Sequence, residues 1–284
     1  MVGKRQLPPP TGSRPLLVEW VPEQNIYRRL KHTLDLRFLY AAVAPYYGPC
    51  GHSSIDPLVF FKLMLVGHLE NLASDRAIVR HCQLRIDILY FLDYELGEAL
   101  PWHSTLSRTR QRLPIPLFDL CFQYVLAQCA QAGLIDGPIQ AVDSAYVEAN
   151  ASLAHVEPRN LADWTLQLNP NSPQPGPSSP GLNAVKPYVN PHIVSRNNRT
   201  HQSPTDAQAR LATKPGKPFR FYYLASIVVD TAQHVITHIR ADAADEKDSR
   251  HLVPLVDGAA LNLRTLGLPL QQVLADAGRY AGAI

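Results

Sequence analysis

Asp143 and Asp276 each close a short apolar segment, Ile139-Gln140-Ala141-Val142-Asp143 and Gln272-Val273-Leu274-Ala275-Asp276, and each segment reads as a strand delivering one carboxylate. Hard oxygen ligands on rigid, neighbouring supports are what a divalent-cation site for phosphoryl transfer needs, and adjacent strands are the stiffest supports a small domain offers. One aspartate alone would carry little meaning. Glu148, Asp245, Glu246 and Asp248 are the other acids that could join such a site. Glu148 lies five residues beyond Asp143, so strict alternation puts it on the opposite face of a continuous strand, where a solvated role is expected. Asp245 to Asp248 stand where a helix begins, and acids in a first turn are favoured by the helix dipole with no ligand present. His52, His103 and His155 lack the partner spacing of zinc sites, so hydrogen bonding or polyanion contact is their reading. No phosphate-binding glycine loop occurs, and the chemistry calls for no nucleotide.

A second set of residues is cationic. Arg108 and Arg112, four apart, share one face of a short helix, with His103 and Arg110 nearby and no acid from Pro101 to Leu113. Such a face suits phosphate groups, and a merely solvated helix surface is the plain alternative. Between Asn183 and Arg220, Lys186, Arg196, Arg199, Arg210, Lys214, Lys217 and Arg220 stand against Asp206 alone. That tract reads either as a nucleic-acid-contacting loop or as a soluble linker.

These residues need a scaffold of some size. With 284 residues and 46% hydrophobic content, the chain has enough for two packed domains, and a net charge of +3 is too mild to identify a polyanion partner by itself. Cys50, Cys82, Cys121 and Cys129 form no C-x-x-C pair and read as reduced, mostly buried thiols. Met1 to Pro10 has no apolar core of signal-peptide length, and no stretch approaches the roughly 18 apolar residues of a membrane span, so a soluble cytoplasmic protein is expected.

From Ile26 to Gly133 apolar residues return every three or four positions, with Ile78, Cys82, Ile86 and Leu89 on one stripe and Phe118, Phe122, Val125 and Cys129 on another. Asp56 to Glu70, opened by Pro57, is apolar almost all round and predicts a helix buried on most sides. His103 to Leu113 predicts a short helix with Ser104 as its cap, stopped by Pro114 and Pro116. Residues 151–218 hold 11 of the 25 prolines, including the run from Asn169 to Gly181, and read as an insertion or loop. Strands are predicted at Phe219 to Asp230 and His234 to Arg240 as a hairpin, then a helix capped by Asp248 or Ser249 to about Leu266, then the strand ending at Asp276. The fold class is therefore α/β: residues 1–19 extended or disordered, an all-α domain over 20–135, and a mixed-sheet domain over 137–284.

The order of several motifs resembles a known family. Gly51-His52-Ser53-Ser54-Ile55-Asp56-Pro57 runs into the buried helix; Pro101-Trp102-His103-Ser104-Thr105-Leu106-Ser107-Arg108 follows; Ala141-Val142-Asp143-Ser144 precedes Glu148-Ala149-Asn150-Ala151-Ser152. Then come Ser203 to Arg210, the strand bearing Tyr223, Ala244 to Ser249, and Ala275-Asp276-Ala277-Gly278. Taken together, from about Tyr46 to Tyr280, these resemble the DDE transposases of bacterial insertion sequences, in the insertion-sequence-five superfamily.

The resemblance implies an all-α DNA-binding domain followed by an RNase H-like core whose first and fourth strands each supply an aspartate. Carried over by position these are Asp143 and Asp276, 133 residues apart because of the proline-rich insertion, with Asp143 as the bridging ligand. It implies a site for two Mg2+ (or Mn2+) ions completed by a glutamate on a later helix, acting in DNA cleavage and strand transfer. The implied partners are double-stranded DNA, as terminal inverted repeats and target, and further copies of the chain in an active homo-oligomer at the bacterial nucleoid; no membrane is involved. His103, Arg108, Arg110 and Arg112 are then DNA contacts. Only Ala277 to Ile284 follow Asp276 and none is acidic, so the core reads as incomplete and carboxy-terminally truncated, with little strand transfer expected. Gly278-Arg279-Tyr280 departs from relatives that place an aromatic directly after the glycine. The alternative reading is a non-catalytic DNA-binding fragment that competes with intact transposase; a weaker third is a two-carboxylate metal-dependent nuclease acting without strand transfer.

Overall fold

A computed structural model describes residues 3–4, 17–48, 54–159, 197–214 and 216–276. The chain forms two compact units, Met1–Phe122 and Gln123–Ile284. The helices come first and a mixed sheet follows, so the protein is mixed α/β. Among the described residues no single helix is long and apolar enough to cross a membrane.

The first unit is helical: α1 (Leu17–Trp20), α2 (Ile26–Thr33), α3 (Leu39–Val43), α4 (Pro57–Leu69), α5 (Asp75–Gln83), α6 (Ile86–Phe91) and α7 (His103–Arg112), with α8 (Ile115–Gln131) running across the division. α4 starts where the sequence predicts, because the Asp56 carboxylate accepts the Leu58 N–H and Pro57 occupies the first turn. It buries Val59, Phe60, Phe61, Leu63 and Val66 against Tyr27, Leu39, Ile88, Phe91 and Leu106. Lys62 is buried on the same helix, and its ammonium donates to Asp93 Oδ2 and to the Phe91 carbonyl, both at 2.7 Å. Lys31 reaches Asp93 Oδ1 at 2.6 Å, so two cations hold this carboxyl below its usual range against the upward push of burial.

Three expectations for this unit need correction. Ile78, Cys82, Ile86 and Leu89 do not lie on one helix, because the chain is extended at Arg85, which turns back to pair with Asp87 and starts α6. Ser104 does not cap α7; Trp102 holds that position without a side-chain cap bond. On α8 the buried residues are Leu117 and Leu126, while Val125 is exposed.

The second unit is built on β1 (Ile139–Glu148), β4 (Arg210–Lys214), β5 (Lys217–Asp230), β6 (Ile236–Ala243) and β7 (Gln272–Ala275), with a separate pair, β2 (Glu157–Pro158) and β3 (His201–Gln202), and a helix, α9 (Asp248–Thr265). β5 is antiparallel to β1, β4 and β6, whereas β7 is parallel to β1. α9 lies on one face, packing Leu255 and Ala259 against Val142 and Val228, with Val273 alongside.

The hairpin occurs as predicted but shifted: β6 begins at Ile236, because His234 takes a left-handed φ of 58° and belongs to the turn. Neither Asp248 nor Ser249 caps α9; Lys247 stands at the cap and Asp248 in the first turn. The 151–218 segment is not all loop. Leu211 and Ala212 are buried on β4, with Leu211 paired to Phe221, so a strand forms within the stretch read as insertion. The proline run Asn169 to Gly181, with Lys186 and Arg196, lies outside the described residues. Its flanks meet at β2–β3, where the Arg159 N–H donates to the Thr200 carbonyl at 2.9 Å.

Candidate functional site

Parallel pairing of β1 with β7 runs Ile139↔Gln272, Gln140↔Val273, Ala141↔Leu274 and Val142↔Ala275. The next residues are Asp143, midway along β1, and Asp276, just past the end of β7. Alternation puts Gln140, Val142 and Val273 on the face covered by α9, so Asp143 is turned to the opposite, open face, and continuing the register sets Asp276 beside it. Neighbouring strands are about 4.8 Å apart, which is within reach of a shared cation. Both aspartates are exposed, and the Ser144 N–H donates to Asp143 Oδ1 at 2.7 Å.

Buried polar groups fix where these strands start. Gln140, wholly buried, donates to Asp230 Oδ2 at 2.8 Å and accepts from the Thr237 hydroxyl at 2.6 Å. The Gly137 N–H also donates to Asp230 Oδ2, at 2.8 Å. Burial pushes the Asp230 carboxyl up, but these donors and the Ala232 N–H leave it below its ordinary value. The Pro138 carbonyl then accepts N–H groups of Gln271 and Gln272, both at 2.9 Å, tying the entry of β7 to that of β1.

The other acids weighed from sequence have cation partners. Glu148 pairs with Arg220 at 2.5 Å, Asp245 lies 3.8 Å from Arg210, and Asp248 lies 3.7 Å from Lys214. Glu246 approaches His251 at 3.0 Å, with Asp242 on the other ring nitrogen at 3.3 Å. These contacts join the β4–β5 hairpin and the β6–α9 connection to the sheet, and they neutralise much of the basic tract. Among the described residues no group of three or more His, Cys, Asp and Glu side chains is arranged to hold a metal ion.

In the first unit, α7 presents Ser104, Arg108 and Arg112 outward. Arg108 donates back to the Ser104 carbonyl at 3.2 Å, and Arg112 lies over the Tyr47 ring at 5.3 Å. Arg110 is turned the other way and makes a two-pronged ion pair with Asp75. His103 opens the helix beside the Trp102 ring.

Residues 16–112 match the family described as "Transposase domain (DUF772)". The match supports a transposase family. It takes in α1 to α7 and ends with α7, while the sheet bearing both aspartates lies beyond it. No curated protein and no solved structure matches the chain.

Several partners were not foreseen from sequence. The Ser203 to Arg210 motif is structural: the Asp206 carboxylate accepts the Tyr223 hydroxyl at 2.6 Å, and Ser203 Oγ accepts the Thr205 and Asp206 N–H groups. Lys62 inside an apolar helix was the readable signal for Asp93, since a buried ammonium requires an anion. Cys82, Cys121 and Cys129 are free, and burial pushes the Cys82 thiol up to about 12 and that of Cys121 up to about 11. Cys50, His52 and Ala277 to Tyr280 lie outside the described residues.

Proposed function

We propose that this chain is a DNA transposase of the DDE type, in the insertion-sequence-five superfamily, which grips DNA through its helical unit and carries its metal-dependent site on the sheet. The observation that carries the reading is the β1–β7 register, which brings Asp143, midway along β1, beside Asp276, just past the end of β7, across 133 positions of sequence. The transposase-domain match over the helices points the same way from a different part of the chain. If β4 is left to the insertion, β1, β5, β6 and β7 are the four sheet strands in chain order, and the first and fourth carry the acids. That agrees with an RNase H-like core.

Two hard carboxylates, exposed and adjacent on paired strands, fit Mg2+ or Mn2+ in their donor chemistry. Asp143 and Asp276 would hold it, and the bound ions would supply charge stabilisation at the attacking and leaving oxygens of the phosphate under displacement. The Ser144 N–H restricts the Asp143 carboxylate, and the Gly137–Gln140–Asp230 contacts keep β1 from sliding. On α7, Arg108 and Arg112 would take DNA phosphates with His103 near them, while Arg110 is committed to Asp75. The outward arginines also favour a second role, occupation of DNA ends in competition with other transposase copies, which needs neither aspartate.

Calorimetric titration of the full chain with Mg2+ tests the reading. Wild type is expected to bind, and Asp143→Asn and Asp276→Asn are each expected to weaken binding by about tenfold or more. Undiminished binding in both variants would remove the pair from the metal site.

A further inference from the structure

We propose that Trp102, exposed where α7 begins, is an aromatic contact to duplex DNA beside the α7 arginines, adding a salt-independent part to binding. This rests on the reading of α7 as a DNA-contacting helix and goes one step further.

Trp102 is 76% exposed although it carries a large apolar side chain. Its place is fixed by the backbone rather than by packing: the residue is extended at φ −63° and ψ 146°, and its carbonyl accepts the Thr105 and Leu106 N–H groups as α7 begins. The ring stands edge-on to His103, with centroids 6.4 Å apart. Two residues further on, the outward face of α7 runs at four-residue steps through Ser104, Arg108 and Arg112, and α7 contains no acidic residue. Among the described residues neither outward arginine has a carboxylate partner, in contrast to Arg110.

An exposed indole close to guanidinium groups that have no carboxylate partner among the described residues favours a polyanion that also offers flat apolar surface. Duplex DNA offers both, as phosphates along each strand and as sugar and base edges that an aromatic side chain can stack on or wedge between. An acidic protein surface would satisfy the arginines and leave the indole without a comparable surface. The two contributions separate by salt: phosphate contacts release counterions, and stacking does not.

The test is fluorescence anisotropy of a labelled duplex titrated with the full chain over a range of salt concentrations. Trp102→Ala is expected to weaken binding by about tenfold at every salt concentration with the slope unchanged, and Trp102→Phe to recover most of the loss. The double variant Arg108→Ala/Arg112→Ala is expected to flatten the slope by about two units. A flattened slope in the arginine variant with full affinity in Trp102→Ala would overturn the role of Trp102 and leave the α7 reading standing. Unchanged binding in every variant would overturn both. A change in oligomeric state on Trp102→Ala, with DNA affinity untouched, would assign the indole to a protein contact and end the proposal.

Discussion

Asp230 is a buried acid whose neighbours decide its charge. Gly137, Ala232 and Gln140 all donate to it, and together they outweigh the cost of burying the carboxylate. A carboxyl whose folded value is depressed contributes stability above its unfolded value, about 3.9, and loses that contribution as pH falls through the folded value. Asp93, held between Lys31 and Lys62, adds to the same acid limb. The urea midpoint of the full chain is therefore expected to hold steady down to about pH 5 and to fall below about pH 4, with a smaller fall in Asp230→Asn. An identical acid limb in that variant would show that Asp230 is not a contributor. Sequence gave notice of Asp143 and Asp276 because each ends an apolar run. Nothing local marks Gln140 or Asp230, whose roles depend on partners 90 positions apart.

At the level of elements, the site depends on where β1 and β7 begin. Gly137 has φ +95°, and a Cβ there would stand 2.9 Å from the Pro269 carbonyl oxygen and 3.0 Å from Leu268 Cβ, in the segment leading into β7. Gly137→Ala combines left-handed strain with a clash against backbone, so it is expected to lower stability by about 2 kcal/mol or more, measured by urea unfolding. Stability within about 0.5 kcal/mol of wild type would mean that this junction yields without cost. Helix α4, the β5–β6 hairpin and β7 were readable from Pro57, the β-branched runs and the alternation. β4 was not, because Arg210 to Lys214 is short and polar at both ends, and only pairing with Phe221 and its neighbours makes it a strand. The break between α5 and α6 was hidden for a similar reason, since the apolar spacing continues across it while Arg85 leaves the helix to meet Asp87.

For the molecule as a whole, helices that match a transposase domain and a sheet that pairs two distant aspartates lie on one chain. The motifs ran in the right order for this to be read from sequence, but each was short, and several have structural duties: Asp206 holds Tyr223, and Asp245 and Asp248 face Arg210 and Lys214. The exposed arginines Arg108 and Arg112 stand on α7 in the first unit, and the exposed carboxylates of Asp143 and Asp276 stand in the second. The central claim is that Asp143 and Asp276 share a cation. Paramagnetic broadening of backbone amide signals by substoichiometric Mn2+ in the full chain tests it most directly. The account predicts that signals of Val142 to Ser144 and of Ala275 and Asp276 broaden first and together. Broadening centred elsewhere, or reaching one of these two segments without the other, would contradict it.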